Sequence, residues 1–105
     1  MIFASNDAIA KRPAEVKKFL AAWFETIAFF KHNKDETVRV SRERTNFSIA
    51  VEEKQYDLVM PMFSGTGRFE PGALAAIQRS FLDLRLIDKE PDLTKYCTER
   101  FLPAS

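Results

Sequence analysis

The sequence predicts an all-α fold of four or five helices behind a short extended N-terminal segment. Three observations carry this expectation. Proline opens two apolar-periodic stretches, at Pro13 and Pro71, where its missing N–H has no helical partner to lose. Within those stretches the apolar residues recur three and four apart, the period of one helix face. Only three glycines occur among 105 residues, and β-branched runs are few, which disfavours a sandwich of short strands.

Met1 to Ser5 reads as an extended lead-in, without the basic start and apolar stretch of a signal peptide. The first helix runs from Pro13 to Lys31, with Val16, Phe19, Leu20, Trp23, Ile27 and Phe30 on one face. Phe24 and Phe29 lie beside that stripe and widen it, so this helix is expected to touch more than one neighbour. Asn33 begins a second helix, with Glu36 three places later as an approximate capping box. Val38 and Val40 are its only clear apolar residues before Thr45-Asn46 ends it, which predicts a mostly solvated helix. Ser48 caps a third helix to about Met60, carrying Val51, Tyr56, Val59 and Met60, and Pro61 breaks it.

Ser64-Gly65-Thr66-Gly67 is a loop whose glycines permit turn geometries. From Pro71 a fourth helix is expected to about Leu86, with Leu74, Ile77, Phe81 and Leu84 on one face. Past the polar connector Asp88 to Pro91, Asp92 can cap a short helix through Leu93, Tyr96 and Cys97. Phe101, Leu102 and Pro103 then form an apolar hook. No internal repeat or low-complexity tract divides the chain, so residues 1–105 read as one helical unit.

Composition narrows the function classes. Sixteen Lys and Arg against fifteen Asp and Glu leave a net charge of +1, no electrostatic reason to expect nucleic acid or an anionic membrane as partner. The apolar stretch Phe19 to Phe24 is far too short to span a bilayer. A single cysteine excludes an internal disulfide and every multi-cysteine metal site.

The constellations that carry chemistry elsewhere are thin here. His32, the only histidine, ends the first helix beside Lys31, where a cation suits the helix dipole. Cys97 reads as a small packed residue rather than half of a thiol–imidazole pair with His32. Asp35-Glu36, Glu52-Glu53 and the Asp88, Glu90, Asp92 series read as solvated acids near helix ends. Gly65-Thr66-Gly67-Arg68 lacks the lysine and the full glycine spacing of a phosphate loop. Lys34, Arg39, Arg42 and Arg44 give the second helix a basic side, but Glu36 and Glu43 interrupt it and no nucleic-acid reading motif accompanies it. The expectation is a protein that is no enzyme, with no catalytic residue, no metal and no cofactor.

A resemblance adds what composition cannot. Ile2 to Asp7 (IFASND), Pro13 to Phe24 (PAEVKKFLAAWF) and Tyr56 to Phe63 (YDLVMPMF) are followed by Gly67-Arg68-Phe69, Ser80 to Pro91 (SFLDLRLIDKEP) and Tyr96 to Pro103 (YCTERFLP). In this order and spacing they resemble the C-terminal part of the nitrate, sulfonate, taurine and pyrimidine-precursor binding proteins that serve ABC importers. No single motif is diagnostic, but the similarity runs over nearly the whole chain. It is loosest around Phe47, at the connection between the second and third helices.

The resemblance implies two α/β lobes joined by crossover strands, with a small anion or heterocycle closed between them and delivered to a membrane permease. Residues 1–10 would match the returning crossover strand and residues 13–105 the terminal helices. Both sheet-bearing lobes, most of the cleft and the export signal would lie outside these 105 residues. Ligand identity would be set on those lobes. Ser5 and Asn6, the polar residues of the matched crossover, would be candidate ligand contacts in the intact protein. The intact protein would be periplasmic, whereas this chain made alone would be cytoplasmic.

Ten phenylalanines are more apolar area than so small a chain readily hides. Phe19, Trp23, Phe24, Phe29 and Phe81 are the expected lobe-packing face. In isolation the same residues would join two chains as a symmetric homodimer. The alternative to a transport role is a free-standing helical module that uses this face for protein interaction.

Overall fold

The computed structural model describes residues 1–104. Helices account for all of its regular structure, and no strand occurs among the described residues. α1 (Asn6–Lys11) is the shortest helix. The Ser5 hydroxyl accepts from the Ala8 N–H at 3.1 Å, and Asp7 and Lys11 pair at 2.7 Å one turn apart. The resemblance puts residues 1–10 on a returning strand; the structure corrects that expectation, because the Ser5 cap turns the chain helical from Asn6. Of those ten residues, only Met1 to Ser5 carry no regular structure.

Pro13 separates α1 from α2 (Pro13–His32). The residue before a proline is disfavoured in the helical region, and Arg12 lies at φ −132°, ψ 47°. At the far end, Asn33 Nδ2 donates to the Phe29 carbonyl at 2.9 Å, and His32 Nδ1 lies 2.7 Å from the Ala28 carbonyl. The Asn33 bond gives the Phe29 carbonyl, one of the last four of the helix, a partner that the helix itself cannot. The capping box expected of Asn33 and Glu36 does not form. Asn33 faces back toward α2, and Glu36 pairs with Arg39 instead.

α3 (Lys34–Thr45) ends on Asn46 in the left-handed conformation at φ 61°. Ser48 caps α4 (Ile49–Val59), and a single 3-10 turn over Met60–Met62 absorbs Pro61. α3 and α4 form an antiparallel hairpin around buried Val38. Lys34 meets Asp57 at 2.6 Å across its open end. Tyr56 ties the hairpin to α2 by donating its hydroxyl to the Phe30 carbonyl at 2.5 Å.

α5 (Pro71–Asp83) stops earlier than the apolar pattern predicts. Arg85 adopts φ 54°, the Arg85 N–H reaches the Leu82 carbonyl and the Leu86 N–H reaches the Phe81 carbonyl. This pair of bonds is a Schellman termination with arginine where glycine is usual. Leu84, expected on the inner face, is left 68% exposed. The helix expected after Asp92 shrinks to one 3-10 turn over Leu93–Lys95, capped by Asp92 as the sequence implies.

The C-terminal hook does form. Phe101 is buried, and the Glu99 carboxylate accepts from the Phe69 N–H at 2.6 Å. Gly67, at φ 74°, lets the preceding loop pass against the Phe24 ring and Leu102.

The whole is loosely assembled. Ile27, Val38 and Phe101 are the buried apolar residues among those described, and α5 makes at most marginal contact with another helix. The radius of gyration is 17.2 Å, against about 13 Å for a compact domain of this length.

Candidate functional site

Successive helical residues turn by about 100°, so α2 presents two distinct apolar faces. Val16, Leu20, Phe24 and Ile27 share one side. All four are half-buried or buried, drawn against the rest of the chain. Phe19, Ala22, Trp23, Thr26 and Phe29 share an adjoining arc of about 120°, and every one of them is exposed. No charged residue of α2 enters that arc between Phe19 and Phe29.

Two interactions fix its surface. Phe19 and Trp23 stack with ring centroids 6.4 Å apart, and Phe63 tilts against Trp23 at 6.5 Å. Phe63 is held there by its own carbonyl, which accepts from Lys31 Nζ at 2.5 Å. Thr26 donates its hydroxyl to the Ala22 carbonyl at 2.8 Å. Its polar atom is thereby satisfied within the helix and needs no water when the face is covered.

The five residues expected on one face are therefore divided. Phe19, Trp23 and Phe29 lie on the exposed arc of α2. Phe29 does not widen the inner stripe, as its spacing suggested, but lies on the far side of the exposed arc from it. Phe24 is half-buried against Gly67 and Leu102, and Phe81 is half-buried on α5. Ser5 and Asn6 are exposed, and the Ser5 hydroxyl is engaged by Ala8. Ala22, Thr26 and Phe63 belong to the face and were not singled out from sequence as part of it. The i, i+3, i+7 spacing of Phe19, Ala22 and Thr26 held that signal, masked because Ala and Thr are not bulky.

The acidic pair Glu52-Glu53 also needs correction. Glu53 is exposed, but Glu52 is 3% exposed in the α3–α4 hairpin. Its carboxylate accepts from Ser41 Oγ at 2.6 Å and from the Thr45 hydroxyl. Those two donors hold its pKa below the usual carboxylate value. On α3, Arg39 is bracketed by Glu36 and Glu43 at 2.5 Å each, which neutralises the centre of the expected basic side. In the glycine loop the Thr66 and Gly67 N–H groups both point to Ser64 Oγ, so they are spent on the turn itself.

Among the described residues no cluster of three His, Cys, Asp or Glu is placed to hold a metal, and no helix is long and apolar enough to cross a membrane. A depression of about 680 Å³, partly open to solvent, lies along α5 between Ala75, Ala76, Arg79, Leu82, Asp83 and Glu90. Compared with known protein families, curated proteins and solved structures, the chain matches none.

Proposed function

We propose that the chain is the C-terminal helical part of a solute-binding protein of an ABC importer for a small anion or heterocycle. The class is that of nitrate, sulfonate, taurine and pyrimidine-precursor binding proteins. In this reading the segment performs no catalysis; its helices brace one lobe and tie the hinge, and the lobes outside these residues hold the ligand and meet the permease. The intact protein would act in the periplasm.

One structural observation supports the reading beside the ordered sequence resemblance. A folded monomer of this mass exposes about 6,000 Å², whereas this chain exposes 8656 Å². A helical run built to lie on a sheet-bearing lobe has that character. Ser5 and Asn6 would sit at the hinge, where Ser5 starts α1 and Asn6 remains open to a ligand.

An immunoblot of fractionated source cells, with an antibody against this segment, tests the proposal. A band much larger than 12.1 kDa in the periplasmic fraction is expected. A band near 12.1 kDa in the cytoplasm favours the second reading, a free-standing helical interaction module. The exposed aromatic arc of α2 is the observation that supports it.

A further inference from the structure

The exposed arc of α2 has the properties of a helix–helix contact rather than of a solvated surface. Over Phe19 to Phe29 it runs about three turns, or about 15 Å, with aromatics at both ends and Ala22 and Thr26 between them. It carries no charge, and its one hydroxyl is already bonded to the Ala22 carbonyl. Small residues at the centre let a second helix approach closely, and the flanking rings supply most of the area.

We infer that this face joins two copies of the chain, α2 against α2, antiparallel about a two-fold axis level with position 24 but on the open side of the helix, away from the Phe24 side chain. The pattern is self-complementary in that register. Phe19 and Phe29 stand equally far on either side of position 24, and so do Ala22 and Thr26. A two-fold axis there sets Phe19 against the partner's Phe29 and Ala22 against the partner's Thr26, so one patch serves both protomers. Trp23, stacked on Phe19 and braced by Phe63, anchors the centre of each half.

The surplus over a compact monomer, about 2,600 Å², is spread over the whole chain. The arc itself offers Phe19, Trp23 and Phe29 at 56%, 37% and 48% exposure, less than the area of about 800 Å² per partner of a standard interface, so the contact belongs to the weak, dissociable class. It leaves the exposed Leu84, Leu86 and Ile87 beyond α5, and Phe47, Ile49 and Val51 at the α3–α4 corner, for other packing. The inference stands apart from the transport reading and concerns the 105-residue chain itself.

Sedimentation equilibrium of this chain from about 1 to 200 µM, the range in which a micromolar contact dissociates, tests it. A discrete species of twice 12.1 kDa is expected to give way to monomer on dilution. Trp23 is the only tryptophan, so its emission should move to longer wavelength over the same concentrations. Thr26→Lys sets two like charges near the axis and should weaken the dimer by about 100-fold or more. Ala21→Lys adds the same charge to an exposed position outside the arc and should leave the dimer intact.

A wild-type chain that stays monomeric and helical throughout overturns the inference and assigns the face to a different protein, a transport lobe included. Polydisperse aggregation without a discrete dimer overturns it as well. So does a dimer that tolerates Thr26→Lys, or one that both lysine variants disrupt equally.

Discussion

Gly67 and Glu52 show how single residues hold this loosely packed chain. At φ 74°, a Cβ on Gly67 would lie 2.3 Å from Phe24 Cζ and 2.7 Å from Leu102 Cδ2. Gly67→Ala therefore combines a left-handed backbone penalty with displacement of the contact between α2 and the C-terminal hook. A loss of about 2–3 kcal/mol in chemical denaturation is expected. Gly72, in the first turn of α5, has nothing within 4 Å of its would-be Cβ. Gly72→Ala should instead stabilise by about 0.4–1 kcal/mol through the unfolded chain. Glu52 acts by charge. Hydrogen bonds from Ser41 and Thr45 depress its folded-state pKa, so the carboxylate's contribution is complete above its unfolded value near 4.5. It is lost as pH falls through the lower, folded value. Urea midpoints measured at neutral pH and near pH 3 should fall further on acidification in wild type than in Glu52→Gln; equal falls would show that this carboxylate does not hold the hairpin.

The helices differ in how plainly their ends were written. Pro13, Pro71 and Ser48 mark starts by local chemistry that does not depend on packing, and the structure follows each of them. Chain termination was harder to read at Arg85, because the Schellman turn normally advertises itself with glycine. Replacing that residue tests the point. Arg85→Gly removes the side-chain penalty of φ 54° while loosening the unfolded chain, for a net gain of about 0.5–1 kcal/mol. Thermal unfolding should then shift upward by a few degrees, whereas Arg85→Ala should not. α1 was hidden for a different reason: a helix of six residues is too short for a helical period to show. Asn33 could cap in either direction, and only the position of the Phe29 carbonyl decides between them. The division of α2 into covered and open faces was likewise beyond periodicity. Both faces are apolar, and contacts distant in sequence, from Tyr56 and the hook, select the one that is buried.

At the scale of the molecule, the unfilled surface links stability to assembly. A fully unfolded chain of this mass exposes about 17,500 Å², so reaching 8656 Å² buries about half of it. A compact chain would bury about two-thirds. The urea dependence of unfolding scales with the area exposed. The dilute chain should therefore show an m-value about a quarter below that of a compact protein of equal length. Scattering from the same dilute solution should give a radius of gyration near 17.2 Å. Covering the apolar arc of α2 adds buried area to the folded side alone, so both the m-value per chain and the melting temperature should climb with protein concentration. The coupling also sets which perturbations travel. Thr26→Lys should abolish the concentration dependence while leaving the dilute melting temperature nearly unchanged, because Thr26 is exposed and its hydroxyl bonds within its own helix. Gly67→Ala should lower the melting temperature at every concentration, because it disturbs the attachment of the hook to α2 within each chain. If the melting temperature proves independent of concentration, the open face contributes nothing to the stability of this chain in solution.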